Sequence, residues 1–566
     1  MTFFQDGPVL GNQYLGDSLL RSVLSRLLPP PLLAEVEPDL IRFGGRVAAD
    51  LPGMAADAER NAPRLVSFDP WGRRIDRIEV AEGWKRLEAV AAEEGLVATG
   101  YERRYGPLSR VVQFAKLYLY TPSSAIFTCP LAMTDGAARL IEVHGDADLR
   151  ERVLPRLVSR DPGLFWTSGQ WMTERTGGSD VGTSETVARR EGETWRLFGD
   201  KWFTSAATSP MAMTLARIEE GGRSVPGSRG LSLFYLETVG ADGGPNGIRV
   251  HRLKDKLGTK ALPTAELTLD GTEARLVGVP GAGVKQISTL FNLTRIYNAI
   301  SAVSLMRRGI ALSRDWARRR TAFGKRLFEH PLFVETLAGL EVELHAAFQL
   351  TFHLVALMGK VECGTATEEE AAEMRLLTPL TKLSTAKQGV AVASEVLETF
   401  GGAGYVEETG LPVLLRDAQV LAIWEGTTDV LSLDALRAIR KERALEPLLR
   451  GAAVRAGSVR SPRLGEASAR VRQAVEALSA HARRMADDAE LAEASARSFA
   501  LGLSRVTAAS LMLQHADWCE ANGGDPRASM AAARWCARPL ANLVDAEKGH
   551  RAESRALAMD EPPGRA

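Results

Sequence analysis

Five short stretches hold the residues that could do chemistry. The first, residues 169–182, reads GQWMTERTGGSDVG. It sets Met172 and two hydroxyls, Thr173 and Ser179, around the charged pair Glu174 and Arg175 and the glycine doublet Gly177 and Gly178. Adjacent glycines lack Cβ atoms, so backbone amides there can approach a flat or anionic ligand closely. A polar turn between a helix and a strand uses the same residues. The second, GDKWFTSAA at 199–207, spaces Trp202 and Thr204 two apart, which places them on one face of a regular strand. A Trp beside a hydroxyl can wall a planar ring system, and it can equally fill a core.

The third stretch, RRRTAFGKRLFEHP, puts Arg320 and Phe323 beside a break at Gly324. A guanidinium fork can bond two oxygens of a diphosphate, and a basic helix end is also favoured by the helix dipole. The fourth, ETFGGAGYVEETGLP, carries Gly401, Gly402 and Gly404 after a helix rather than a strand. That order argues against a Rossmann loop and leaves a helix C-cap or a backbone contact to a diphosphate. The fifth, AIWEGTTDV, sets Glu425 beside Ile423 and Trp424. Desolvation there raises a carboxyl pKa and makes the ionised form a stronger base. The same residue could cap a helix starting near Thr428.

The elements that must position these groups follow from periodicity. Residues 1–165 read as a helical N-terminal domain. GDSLLRSVLSRLL is stopped by Pro29–Pro31, and GWKRLEAVAAEEG and RVVQFAKLYLYTPSS are further helices. Residues 166–280 read as a central antiparallel β domain, with WRLFGDKWFTSA, MAMTLARI, LSLFYLETV and AELTLDG as strands. Residues 281–442 carry four long helical regions, as in a four-helix bundle. Residues 443–566, rich in Ala and Arg, read as a helical extension. The fold class expected is α+β, mainly α.

The 566 residues are 45% hydrophobic and 25% charged, as in ordinary folded proteins of several domains. Lys and Arg balance Asp and Glu, so no global field points to nucleic acid or membrane. The run RALEPLLRGAAVRAGSVRSPR could form a local basic patch, or a solvated helix face. Four scattered cysteines suggest no disulfide framework and fit a reducing cytoplasm. His515, Cys519 and Cys536 lack the spacing of a metal site, and no metal is expected. The N-terminus does not read as a signal peptide, and no uninterrupted apolar run has the length of a membrane span.

Taken together and in order, MTERTGGSD, KWFTSA, RTAFGKRL, FGGAGY and LLRDAQVLAIWEGTTDV resemble the acyl-CoA dehydrogenase family. NQYLGD, FDPWGRRIDRIE, the glycine doublet and the extension resemble its adaptive-response, AidB-type branch. The resemblance implies FAD as cofactor, an acyl-CoA or other acyl thioester as substrate, a homotetramer, and electron-transfer flavoprotein as a possible acceptor. It places Met172, Thr173, Gly178 and Ser179 against the flavin, with Trp202, Phe203, Thr204 and Ser205 as the other wall. Arg320, Phe323, Gly401 and Gly402 would reach the FAD of a neighbouring subunit, and Thr427 and Asp429 the chain's own. Glu425 matches the family base. The alternative position for that base falls at Thr294, which is not acidic. Arg295, Tyr297 and Trp424 would border the substrate pocket, the last two narrowing it.

The implied reaction takes the α-proton with Glu425, passes a hydride from Cβ to flavin N5, and leaves a trans-2-enoyl thioester. The branch resemblance also raises two other functions: a DNA-binding flavoprotein protecting against alkylation damage, and a scaffold that holds fatty acyl chains with little turnover. Asp429, and Glu398 near the diphosphate position, add negative charge where the wider family has neutral amides.

Overall fold

The computed structural model describes residues 6–240 and 243–562. The N-terminal part is helical, and its helices start and stop for local reasons. Asp17 caps the helix Ser18–Leu27 by accepting from the Leu20 amide. The prolines that end this helix also begin the next, Pro30–Ala49, because a missing N–H costs nothing in a first turn. The helices Glu82–Glu93 and Ser109–Tyr120 lie where periodicity placed them. Periodicity did not single out the hairpin Arg64–Phe68 with Arg74–Glu79, whose turn contains Pro70 and Gly72.

The middle of the chain is an eight-stranded sheet. The long strand Thr264–Val277 pairs antiparallel with Thr194–Ser205, Ile248–Leu253 and Leu231–Glu237. The sheet is mixed rather than purely antiparallel as expected. Ser168–Trp171 and the start of Val187–Glu191 both run parallel to Met211–Glu220. A parallel pair needs a crossover connection, so turn chemistry alone could not reveal it.

The bundle begins with Gly283–Arg319, Pro331–Glu362 and Glu368–Thr399. The fourth region is broken into Leu411–Leu421 and Thr428–Glu442. Pro331–Glu362 is long and apolar enough by composition to cross a membrane, but 78% of its most apolar window is buried inside the protein. Among the described residues the extension adds five α-helices, from Leu445–Gly457 to Lys548–Met559. Its longest, Ala489–Ala521, packs on the second and third bundle helices and on Thr428–Glu442. One hydrophobic cluster runs through the N-terminal helices, the bundle and the extension, so these parts share a core.

Two arginines of the basic run are paired within the protein. Arg450 pairs with Glu369, and the buried Arg455 bonds Glu373 and Ser510. His515 and Cys519 are neighbours, with Sγ 3.6 Å from Nε2, but Arg26 donates to the His515 Nδ1 at 3.1 Å. Burial pushes that imidazole down to about 3. Among the described residues no group of three His, Cys, Asp or Glu is arranged to hold a metal.

Candidate active site

Glu425 sits in the break between Leu411–Leu421 and Thr428–Glu442. It adopts φ +57°, and Gly426 follows at φ +103°. Two successive left-handed residues turn the chain sharply, and a non-glycine residue in that region is strained. The carboxylate is held by neutral donors. Thr294 Oγ1 donates to Oε2 at 2.8 Å and Gln170 Nε2 donates to Oε1 at 3.3 Å. The two carbonyls of the turn are held by cations, Arg295 Nε to Glu425 O at 3.3 Å and Lys382 Nζ to Gly426 O at 2.7 Å. Burial is the largest influence on the carboxyl and leaves its pKa above the ordinary carboxylate value. Thr294, Arg295, Lys382 and Gln170 oppose that rise by favouring the charged form.

Sequence alone does not single out three of these partners. Thr294 stands out there only as a non-acidic position, and Gln170 is an ordinary amide inside the first stretch. Lys382 had one available signal, a lysine among the small and apolar residues of LTPLTKLST.

The Gln170–Glu425 bond ties the first stretch to the fifth. The first is tied to the second by the Trp202 amide, which donates to Thr173 O at 2.9 Å. Between these ties, Glu174 anchors the loop. It is buried, accepts from Lys201 Nζ at 2.7 Å and Thr186 Oγ1 at 2.6 Å, and takes the Glu185 amide at 2.5 Å. Gly177 has φ +116°, which an L side chain rarely adopts. A Cβ on Gly178 would stand 2.6 Å from Thr173 Oγ1. One glycine is therefore required by backbone conformation and the other by close approach.

The strand carrying Trp202 departs from regular alternation. Ala265 pairs with Thr204, and Leu267 pairs with Lys201. Trp202 and Phe203 thus oppose a single residue, Glu266, in a β-bulge. The bulge turns both rings outward, at 36% and 46% exposure, and both Lys201 and Thr204 inward. Trp202 and Thr204 do not share a face, contrary to the i, i+2 expectation. Thr204 Oγ1 is spent on the Ala265 carbonyl at 2.6 Å. Lys254 Nζ stacks 3.8 Å from the Trp202 ring centroid. Ser205 Oγ lies 3.2 Å from Thr264 Oγ1.

Comparison with known proteins covers nearly the whole chain. The family description "Acyl-CoA dehydrogenase, middle domain" matches residues 169–272, and "Acyl-CoA dehydrogenase, C-terminal domain" matches residues 281–439. "Adaptive response protein AidB N-terminal domain" matches residues 10–162. The chain belongs to the acyl-CoA dehydrogenase family. Its extension matches "Acyl-CoA dehydrogenase 11 C-terminal domain-like" over residues 452–562. Acyl-CoA dehydrogenase family member 11 of Caenorhabditis elegans is 42% identical over 96% of this chain and 90% of its own length. AidB of Escherichia coli (strain K12) is 31% identical over 69% of this chain and 72% of its own. The crystal structure of Caenorhabditis elegans ACDH-11 in complex with C11-CoA superposes with a TM-score of 0.96, at 40% identity, covering 99% of this chain and 97% of that one. The AidB-type branch and the acyl-CoA dehydrogenase fold stand as expected.

Met172 is buried in the cluster between the sheet and Gly283–Arg319, so its side chain is core rather than open wall. Tyr297 is also core. Its hydroxyl donates to Asp135 at 2.8 Å and its ring meets Phe114 edge-on, in place of the pocket-narrowing role expected. Arg295 is committed to Asp434 at 2.7 Å and to the Glu425 turn, so it positions the turn instead of lining an open pocket. Trp424 is half-buried, with its indole N–H on Asn298. Phe323 is 97% exposed, and Arg320, Gly401 and Gly402 are exposed too. Thr427 is the N-cap of Thr428–Glu442, and its side chain makes no capping bond. The exposed Asp429 pairs with Arg497 of the extension at 3.2 Å, which offsets the charge it adds.

These residues suit a flavin dinucleotide. Two outward-facing rings offer an aromatic surface beside a glycine loop, and Gln170 Oε1 is buried without a partner among the described residues. The free N-terminus of a 15-residue helix, with an uncommitted hydroxyl at its cap, suits a phosphate.

Proposed function

We propose that the chain dehydrogenates the α,β bond of an acyl thioester with FAD as cofactor and Glu425 as the base. The observation that carries this reading is the Gln170–Glu425 hydrogen bond, which brings the one carboxylate of the break against the loop bearing the glycine doublet. FAD, when bound, supplies the two-electron acceptor. Thr173, Gly178, Ser179, Trp202, Phe203 and Thr427 would hold it. Arg320, Phe323, Gly401 and Gly402 lie open on a single chain, which supports their use by a second copy in a homotetramer. The complex of the worm relative with C11-CoA supports an acyl-CoA as the substrate class.

Glu425 takes the α-proton onto its carboxylate. Thr294 and Gln170 orient that carboxylate and favour its ionised form against the desolvation of the recess. The Glu425 backbone N–H is the donor we assign to the thioester oxygen, where charge develops. The test is anaerobic mixing of the purified holoprotein with acyl-CoAs of graded length. Bleaching of the flavin absorbance supports the reading. Bound acyl-CoA with an unbleached flavin would leave a protein that holds acyl chains without oxidising them.

A further inference from the structure

Lys382 lies near the middle of Glu368–Thr399, 1% exposed, between Thr381 and Leu383. A lysine is rarely buried without an acidic partner, because removing an ammonium from water is costly. The bond it makes is to the Gly426 carbonyl, at 2.7 Å. Arg295 holds the preceding carbonyl, so two cations from two helices clamp consecutive residues of the turn that presents the base. The two cations differ in one respect. Arg295 is neutralised by Asp434, which also takes Arg375 at 2.8 Å. Among the described residues, the acidic group acting on Lys382 is Glu425.

Resting on the reading of Glu425 as base, we propose that Lys382 is its positioning residue, pinning the Glu425–Gly426 turn through the Gly426 carbonyl and bringing a positive charge to that turn. The charge has a direct consequence. An opposite charge favours ionised Glu425 and opposes the desolvation that raises its pKa. Burial pushes Lys382 itself down to about 7, with Glu425 opposing that fall and Arg295 adding to it. The other groups facing the carboxylate are Thr294 and Gln170, which do not titrate, and Cys129, whose thiol burial pushes up to about 12. Arg295 acts on Glu425 as well, ahead of Lys382, so below neutrality Lys382 adds to a cationic influence that favours the ionised carboxylate.

The experiment is the pH dependence of flavin bleaching by C11-CoA, measured anaerobically on holoprotein between about pH 5 and pH 9. Lys382→Gln keeps a donor for the Gly426 carbonyl and removes the charge. Lys382→Met removes both, and Lys382→Arg keeps the charge. The acidic limb, where Glu425 becomes protonated, is expected to move up by about one pH unit or more in the neutral variants. It is expected to stay at the parental position in Lys382→Arg. A folded, flavin-loaded neutral variant with the parental limb overturns the proposal. If neither neutral variant folds, Lys382 is a structural residue and the proposal also fails. Glu425→Gln serves as the control: turnover surviving in it removes the base itself, a different failure from an unmoved limb.

Discussion

Replacing Lys201 by Met should unsettle the glycine loop through a charge rather than a contact. Lys201 and Glu174 are buried, at 0% and 3% side-chain exposure, and 2.7 Å apart. Burial alone would raise the Glu174 pKa, but Lys201 and the hydrogen bonds from Thr186 and Glu185 outweigh it and hold the carboxyl below its ordinary value. Removing the lysine leaves a carboxylate with those donors and no counter-charge. Stranding one member of a buried ion pair costs about 3–5 kcal/mol. At roughly 2–4 °C per kcal/mol for a unit of 150–250 residues, the melting temperature should fall by about 6–20 °C. The sign of the pH dependence follows from the depressed pKa. The contribution of Glu174 is fully present above the unfolded carboxylate pKa and is lost as pH falls through the lower folded value. The gap between parent and Lys201→Met should therefore close in acid, where the stranded carboxylate can protonate. Adding Glu174→Gln to Lys201→Met should recover part of the loss at neutral pH. Calorimetry at neutral and acidic pH measures all three proteins. A Lys201→Met protein melting within about 3 °C of the parent at neutral pH would refute the argument, because the pair would then hold no stranded charge.

Glu425→Gln should retain bound flavin and slow reductive bleaching by about 10²–10⁴-fold, read by anaerobic stopped flow. Unchanged turnover would take Glu425 out of the reaction. Thr294→Val removes the 2.8 Å donor to Glu425 and should shift the acidic limb of kcat/KM upward by about one unit; a limb that moves down contradicts the assignment. Gly178→Ala sets a methyl 2.6 Å from the Thr173 hydroxyl and should weaken FAD retention without unfolding the chain. Fluorescence titration of the apoprotein checks it, and parental affinity would show that the loop does not meet the cofactor. With Arg450 and Arg455 already paired, DNA binding at physiological salt should be weak. An affinity that falls steeply with salt would revive the nucleic-acid reading.

Much of the architecture was legible because it is local. Leucines at helical spacing, prolines and alternating strands marked the N-terminal helices, several sheet strands and the four bundle regions. Glu425 was singled out through the family resemblance, because a carboxylate between Trp and Gly before a helix start serves equally as a helix cap. The partners of Glu425 were not. Thr294, Gln170 and Lys382 lie 131, 255 and 43 positions from it in sequence, and no local pattern links such separations.

The sequence by itself determined which residues could react and which stretches would be helix or strand, because composition and periodicity act over a few neighbours. Tertiary structure decided which way those residues point. The bulge at Trp202 and Phe203 depends on a partner strand some sixty residues away, and it parts Trp202 from Thr204. Tyr297 belongs to a buried cluster with Asp135, and Arg295 to the Glu425 turn, because helices distant in sequence pack beside them. The bond from Lys382 to the Gly426 carbonyl is likewise a property of the packed bundle, which brings a lysine of one helix to the break between two others.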